Sequence, residues 1–246
     1  MKAIAVIPAR YAATRFPGKL MQLLGDSTII ITTYRNTVST GLFDDVIVAA
    51  DSAIIFDEII KHNGHAILSK KEHESGSDRI AEAVADIDFD VVINVQGDEP
   101  FVNKIQLQSL LNVFKNDTEK AIQVASLMHP MGNADDILNP NNVKVVVDKN
   151  MDALLFSRSP IPYKRNEELD ITYYKHIGVY AFRKNALLRF TNWPQTLLEQ
   201  AEKLEQLRYL ENGVKIRMVI TDKATIGIDT PEDLIKAKQY LADLSA

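Results

Sequence analysis

The sequence predicts an α/β protein: a three-layer, mainly parallel sheet with an antiparallel extension in its second half. Three observations point to it. Short apolar runs alternate with helix-like stretches through about the first 128 residues, the order of successive βαβ units. The first of them, residues 3–7, is wholly apolar, as a strand covered on both faces requires. Beyond about residue 130, strand-like stretches follow one another with few helices between them, which favours antiparallel neighbours.

Taken in order, residues 3–7 are the first apolar run, and residues 27–40 read as a helix closed by Gly41. Residues 45–50 form a second buried strand. Residues 53–63 are helical, with Gly64 where a left-handed C-cap belongs. Strand-like 65–68, helical 77–86, strand-like 91–95, helical 103–116 and strand-like 121–128 continue the alternation. In the second half, 142–148, 153–157 and 173–182 are expected as strands, and 184–190, 197–210 and 231–244 as helices. Residues 224–228 are strand-like. Thr230 at the N-cap, Pro231 at the first helical position and Glu232 and Asp233 in the first turn make a strong helix start. No internal repeat, low-complexity tract or linker interrupts residues 1–246, so a single domain is expected.

Composition narrows the function. Twenty-eight Lys+Arg against 33 Asp+Glu give a net charge of -5, which argues against a dedicated nucleic-acid binder. With no Cys, disulfides, thiolate catalysis and Cys-ligated metal centres are excluded. No apolar run approaches the roughly 20 residues that cross a bilayer, and Pro8, Arg10 and Arg15 interrupt the apolar start that a signal peptide would need. A soluble, cytoplasmic protein without membrane or nucleic-acid partners is the expectation. None of the ten glycines is spaced as a dinucleotide fingerprint, a Walker loop or a nucleophile elbow demands. His62 and His65 flank a helix stop, which makes exposed cap residues of them rather than metal ligands.

Two loops carry chemistry. The first strand runs into Pro8-Ala9-Arg10 and on through Arg15 to Gly18-Lys19, placing three cations at its carboxyl end, where open α/β sheets bind ligands. Arg offers a planar fork and Lys a point charge to phosphate oxygens; a solvated loop paired with nearby acids fits the same residues. The strand at 91–95 ends in Gln96-Gly97-Asp98-Glu99-Pro100. An Asp there needs a partner, either a magnesium ion or the backbone N–H groups of a capping turn. Asp229 stands just before the Thr230 cap, where an acid can serve the cap. Arg158 follows the strand at 153–157, and His176 and Tyr180 stand four apart in a strand, so both point to one face.

The blocks Pro8-Ala9-Arg10, Thr14-Arg15, Pro17-Gly18-Lys19, His73 to Arg79, Asn94 to Pro100, Asn139 to Lys144, Phe156-Ser157-Arg158, Lys175 to Tyr180, Leu204 to Arg208 and Gly227 to Leu234, in this order, resemble the sugar-acid cytidylyltransferases. More narrowly, they resemble the 3-deoxy-manno-octulosonate (Kdo) cytidylyltransferase family, and the likeness runs the length of the chain. Ala13 departs from a Ser that many members carry, Ala50 from a Thr, and residues 163–172 lack a Trp.

The resemblance implies a Rossmann-like nucleotidyltransferase sheet with a nucleotide half to about residue 128 and a sugar-binding, dimerising half from about 129. It implies Lys19, Asp98 and Asp229 as catalytic, and Asp98 and Asp229 as the ligands of Mg²⁺. Pro8, Ala9, Arg10, Arg15, Lys19, Ser75, Gly76, Ser77, Arg79, Gln96 and Asp98 are implied to meet CTP. Gln96, Arg158, His176, Tyr180, Glu205 and Gln206 are implied to meet an eight-carbon sugar acid. Without an ion between them, the two facing aspartates are expected to repel. The activity implied is transfer of CMP from CTP to the anomeric hydroxyl of Kdo, with release of pyrophosphate, in a cytoplasmic homodimer serving lipopolysaccharide assembly. The rivals are a cytidylyltransferase for 8-amino-Kdo or sialic acid, and a non-catalytic nucleotide-binding protein on the same fold.

Overall fold

The computed structural model describes residues 1–12, 16–73, 75–222 and 227–245. The chain forms two compact units: Met1–Leu107 with Thr225–Ala246, and Gln108–Ala224.

The first unit begins with β1 (Ala3–Ala9), the short hairpin β2 (Leu23–Leu24) and β3 (Ser27–Thr28), and helix α1 (Ile29–Ser39). It continues through β4 (Asp45–Ala50), α2 (Ala53–Lys61), β5 (His65–Leu68), α3 (Gly76–Val84) and β6 (Val91–Asn94). Helix α4 (Lys104–Asn116) begins in this unit and continues past Leu107 into the second, and a C-terminal helix, Pro231–Ser245, belongs to the first. β6, β1, β4 and β5 lie side by side in that order, all parallel. β1, β4 and β6 are buried almost throughout, and α1, α2 and α3 pack on β1 and β4. The chain steps from β1 outward to β4 and β5, then crosses back to place β6 on the other side of β1. The order in which strands are added therefore reverses between β1 and β6, and their carboxyl ends flank the crevice that such sheets use for ligands.

Several element ends differ from the sequence expectation. Residues 27–28 pair with 23–24 in the hairpin, so α1 starts at Ile29. α2 stops at Lys61, and the left-handed residue is Asn63 (φ 57°) rather than Gly64. Gly64 is demanded by space: a Cβ there would sit 2.6 Å from Ile59 Cγ2 and 3.0 Å from the Tyr34 ring. α3 starts one residue early, at Gly76, because Ser75 Oγ accepts the Asp78 N–H and caps it.

The second unit contains β7 (Val124–Met131), α5 (Ala134–Leu138), β8 (Lys144–Val147), β9 (Ala153–Ser157) and β10 (Tyr173–Arg183). It ends with α6 (Lys184–Phe190), α7 (Leu197–Glu202), α8 (Gln206–Glu211) and β11 (Ile216–Ile220). β7–β10, β10–β8 and β8–β9 are antiparallel, as expected, whereas β11 lies parallel to β7. The expected strand at 121–128 is displaced to Val124–Met131, and β11 has no counterpart in the sequence reading. The helix expected over 197–210 is two helices, broken where Lys203 adopts φ 55°. A buried ion pair, Arg208 Nη2 to Glu199 Oε1 at 2.5 Å, holds the two together. The strand-like reading of 224–228 falls largely outside the described residues.

Candidate active site

The loop leaving β1 and the loop leaving β6 meet at the sheet reversal. Gly97 allows it: a Cβ there would stand 3.1 Å from the Pro8 carbonyl oxygen. Helix α1 pins the same loop, with Thr33 Oγ1 donating to the Gly97 carbonyl at 3.0 Å. Gly18, at φ 64°, turns the β1 loop into a 3-10 turn, Lys19–Met21, that brings Lys19 inward. The third part arrives from the C-terminal segment, where Ile228 N–H donates to the Asp98 carbonyl at 2.9 Å. Thr230 and Asp233 cap the C-terminal helix reciprocally, and Asp233 Oδ2 also accepts the Asp229 N–H at 3.2 Å. The Asp229 carboxylate is thereby set beside Asp98 instead of serving as the cap.

The result is a three-point cluster. Lys19 Nζ donates to Asp98 Oδ2 at 2.5 Å and to Asp229 Oδ1 at 3.0 Å. Burial by itself would lower the Lys19 pKa, but Asp98 and then Asp229 hold it above its ordinary value. The expectation of two aspartates repelling across an empty site is thus corrected: in the free protein an ammonium lies between them.

A cavity of about 260 Å³ opens here, and Pro8, Arg10, Lys19, Gly76, Arg79, Gln96, Asp98 and Asp229 all line it. Gly97 completes the lining with Ala12, Phe16 and Leu20, three loop residues that carry no chemical signal to find them by in the sequence. Ala9 lies buried beneath, its carbonyl accepting from Arg79 Nη1 at 3.4 Å. Ser75 caps α3 and Ser77 is buried within it. Arg79 is only 5% exposed, and its Nε has no hydrogen-bond partner among the described residues. Burial lowers its pKa, with Arg10 adding and Asp51 opposing. A buried donor left open on a cavity wall suits a polar ligand. Arg15 lies outside the described residues.

The remaining expected residues belong to the second unit. His176 and Tyr180 share a face, as their spacing requires, but a regular strand would hold them about 13 Å apart. Their ring centroids are 5.3 Å apart instead. The cause is a bulge between Ile177 and Tyr180, so that His176 and Tyr180 pair with Met128 and Ser126, residues only two apart on β7. His176 Nε2 lies 3.0 Å from Ser126 Oγ, and Gln206 Nε2 3.5 Å from His176 Nδ1. Burial pushes the His176 pKa down to about 3, so the ring is neutral. Burial, then Glu205 at the head of α8, pushes Tyr180 well up. Arg158 leaves β9 with Nε donating to the Glu202 carbonyl at 2.8 Å and Nη1 to the Pro140 carbonyl at 3.0 Å. Ser126, Lys144 and Glu202 organise these groups and were not picked out from sequence.

Residues 4–216 match the family model described as cytidylyltransferase. The chain belongs to the cytidylyltransferase family, and it is a nucleotidyltransferase enzyme. It is 61% identical over 244 residues to 3-deoxy-manno-octulosonate cytidylyltransferase of Flavobacterium johnsoniae, covering 99% of this chain and all (100%) of the relative. To the enzyme of the same name from Christiangramia forsetii it is 56% identical, covering 98% and 97% of the two chains. Among solved structures, CMP:2-keto-3-deoxy-manno-octonic acid synthetase complexed with CTP superposes with a TM-score of 0.94 at 39% identity, over 99% of this chain and 100% of that one.

Proposed function

We infer that this protein is a Kdo cytidylyltransferase, forming CMP-Kdo and pyrophosphate from CTP and Kdo. The observation that carries the chemistry is Lys19 held between Asp98 and Asp229 at the sheet reversal, beside Arg10 and Arg79; the sugar acid is that of the two relatives' names, and CTP is the nucleotide bound in the solved synthetase. In the reaction the anomeric oxygen of the sugar forms a bond to the α-phosphorus. The bond from that phosphorus to the β-bridging oxygen breaks, pyrophosphate leaves with its electron pair, and the hydroxyl proton passes to solvent.

Such phosphoryl chemistry asks mainly for positioning and electrostatics. Arg10, Arg15 and Lys19 stabilise charge gathering on the leaving pyrophosphate. Pro8, Ala9, Ser75, Gly76, Ser77 and Arg79 receive base and ribose. Arg158 binds the sugar carboxylate through its remaining guanidinium donors. His176, Tyr180, Glu205, Gln206 and Gln96 meet the sugar hydroxyls.

Asp98 and Asp229 fit a magnesium ion: both are hard oxygen donors and both already converge on one positive charge. Among the described residues no third His, Asp or Glu joins them, which leaves positions for phosphate oxygens and water. Bound there, the ion supplies neutralisation of the triphosphate and a lowered pKa for the attacking hydroxyl. The reading extends to a cytoplasmic homodimer serving lipopolysaccharide assembly, supported by the family resemblance. Among the described residues no helix is long and apolar enough to cross a membrane.

The test is pyrophosphate release from CTP and Mg²⁺ with Kdo, 8-amino-Kdo and sialic acid, alongside light scattering for the dimer and omission of Mg²⁺. Release with Kdo supports the reading. Release only with another acid reassigns the sugar, and binding of CTP without release with any acid leaves a nucleotide-binding protein.

A further inference from the structure

Lys144, in β8, is wholly buried at 0% exposure, yet it belongs neither to the nucleotide cavity nor to the sugar-binding residues above. Its ammonium donates to the carbonyls of Asn139 at 3.1 Å and Asn142 at 2.7 Å, and to that of Arg158. A lysine has three N–H donors, and all three are spent on main-chain oxygens. Burying an ammonium is costly, so its complete burial points to a structural task that no apolar side chain could perform.

The three oxygens lead to one residue. Asn139 and Asn142 bracket Pro140, whose carbonyl accepts from Arg158 Nη1 at 3.0 Å. The third oxygen is that of Arg158 itself. Glu202 fastens the other side: its carboxylate accepts from Ser157 Oγ at 2.6 Å and from Arg158 N–H at 2.9 Å, and its carbonyl accepts from Arg158 Nε at 2.8 Å. Both main-chain polar groups of Arg158 and two of its five side-chain donors are therefore fixed. The Nη2 donors and the second Nη1 donor have no protein partner among the described residues. That is an arginine held by one edge with the other open.

We propose that Lys144 is a positioning residue for sugar-acid recognition: by gripping the carbonyls of Asn139, Asn142 and Arg158, it aims the open edge of the Arg158 guanidinium. The proposal rests on Arg158 being the carboxylate-binding arginine, and it adds a residue that touches no substrate. Lys144→Met keeps the stem and removes the donors. The three carbonyls then have no ammonium to converge on, and Pro140 and Arg158 lose their common anchor.

The experiment measures KM for Kdo, kcat and the Kd for CTP in Lys144→Met, Arg158→Ala and the double variant, with thermal melts. Expected is a rise of at least tenfold in KM for Kdo with Lys144→Met and a CTP Kd within twofold of the wild type. In the Arg158→Ala background, Lys144→Met should change KM for Kdo by less than twofold, because there is no guanidinium left to aim. A residue that merely props up the fold would lower CTP and Kdo binding together and act equally in both backgrounds; either result overturns the proposal. If Arg158→Ala leaves KM for Kdo unchanged, the assignment of Arg158 falls, and the proposal with it. If Arg158→Ala raises KM and Lys144→Met does not, only the proposal falls. Should Lys144→Met not fold, Lys144→Gln, which retains an amide donor pair, goes through the same measurements with a smaller rise expected, and an unchanged KM refutes the idea.

Discussion

Replacing Lys19 by Met keeps the stem and deletes the charge shared by Asp98 and Asp229. Lys19 is 12% exposed, Asp98 27% and Asp229 48%. The bond to Asp98 is charge-assisted and sheltered, a class worth about 1.5–3 kcal/mol net. The bond to Asp229, with that side chain half exposed, is worth no more than about 1 kcal/mol. Deletion also leaves two carboxylates within about 6 Å of each other, a repulsion of about 1–3 kcal/mol at the dielectric of a partly open site. Part of this is relieved by solvent entering, so the net loss is about 2–4 kcal/mol. For a chain of this size that is a fall in melting temperature of about 5–15 °C. The assay is calorimetry at pH 7.5 with a chelator present. Adding Asp98→Asn to Lys19→Met removes the repulsion and should restore part of the loss, as should Mg²⁺ added to Lys19→Met alone. The raised Lys19 pKa means that its contribution is intact below about pH 10.5 and fades only above that. A Lys19→Met melting temperature within 1 °C of wild type, or a further fall on adding Asp98→Asn, would refute the reasoning.

Asp98→Asn and Asp229→Asn should each nearly abolish turnover, and the double variant should be little worse than either, since groups that share one task are not additive; near-normal turnover in one single variant removes that residue. Each should also melt slightly below wild type, because Lys19 loses a partner. The depressed His176 pKa sets the sign of an acid effect: the unfolded chain takes up the proton near pH 6.5 while the folded one resists to about 3. Stability should therefore fall as pH drops through that window, by up to about 1.4 kcal/mol per pH unit from this group. Urea titrations of wild type and His176→Gln compare the slopes, and identical slopes would count against a neutral buried ring. Gly64→Ala forces a Cβ against Ile59 and should cost about 1–3 kcal/mol in the same titration. An unchanged midpoint would show that the helix end can shift. Pyrophosphate release should favour CTP over ATP, because the cavity between Pro8 and Gly76 is narrow; equal release from ATP would contradict a pyrimidine-sized site.

What residue order determined by itself is the local part. The runs at 3–7, 45–50, 65–68 and 91–95 became β1, β4, β5 and β6; β1, β4 and β6 are buried almost throughout and so carry apolar side chains at nearly every position, whereas in β5 only Ala66 is buried. The loops at their ends were legible as cation-rich and acid-bearing, and Thr230 with Pro231 marked its helix from four residues alone. β11 was not legible. Its five residues, Ile216 to Ile220, carry a charge at the second position, and β7, the strand that pairs with it, starts 92 residues earlier. The break between α7 and α8 falls on Lys203, a residue with no turn signal of its own; the buried Arg208–Glu199 pair supports it. The bulge in β10 likewise set the distance between His176 and Tyr180, where spacing could supply only their common face. Above all, Lys19 meets Asp98 across 79 residues and Asp229 across 210. Side-chain periodicity reports what lies within a turn or two along the chain. Which charge neutralises which is decided by the sheet reversal that brings three distant loop ends to one point.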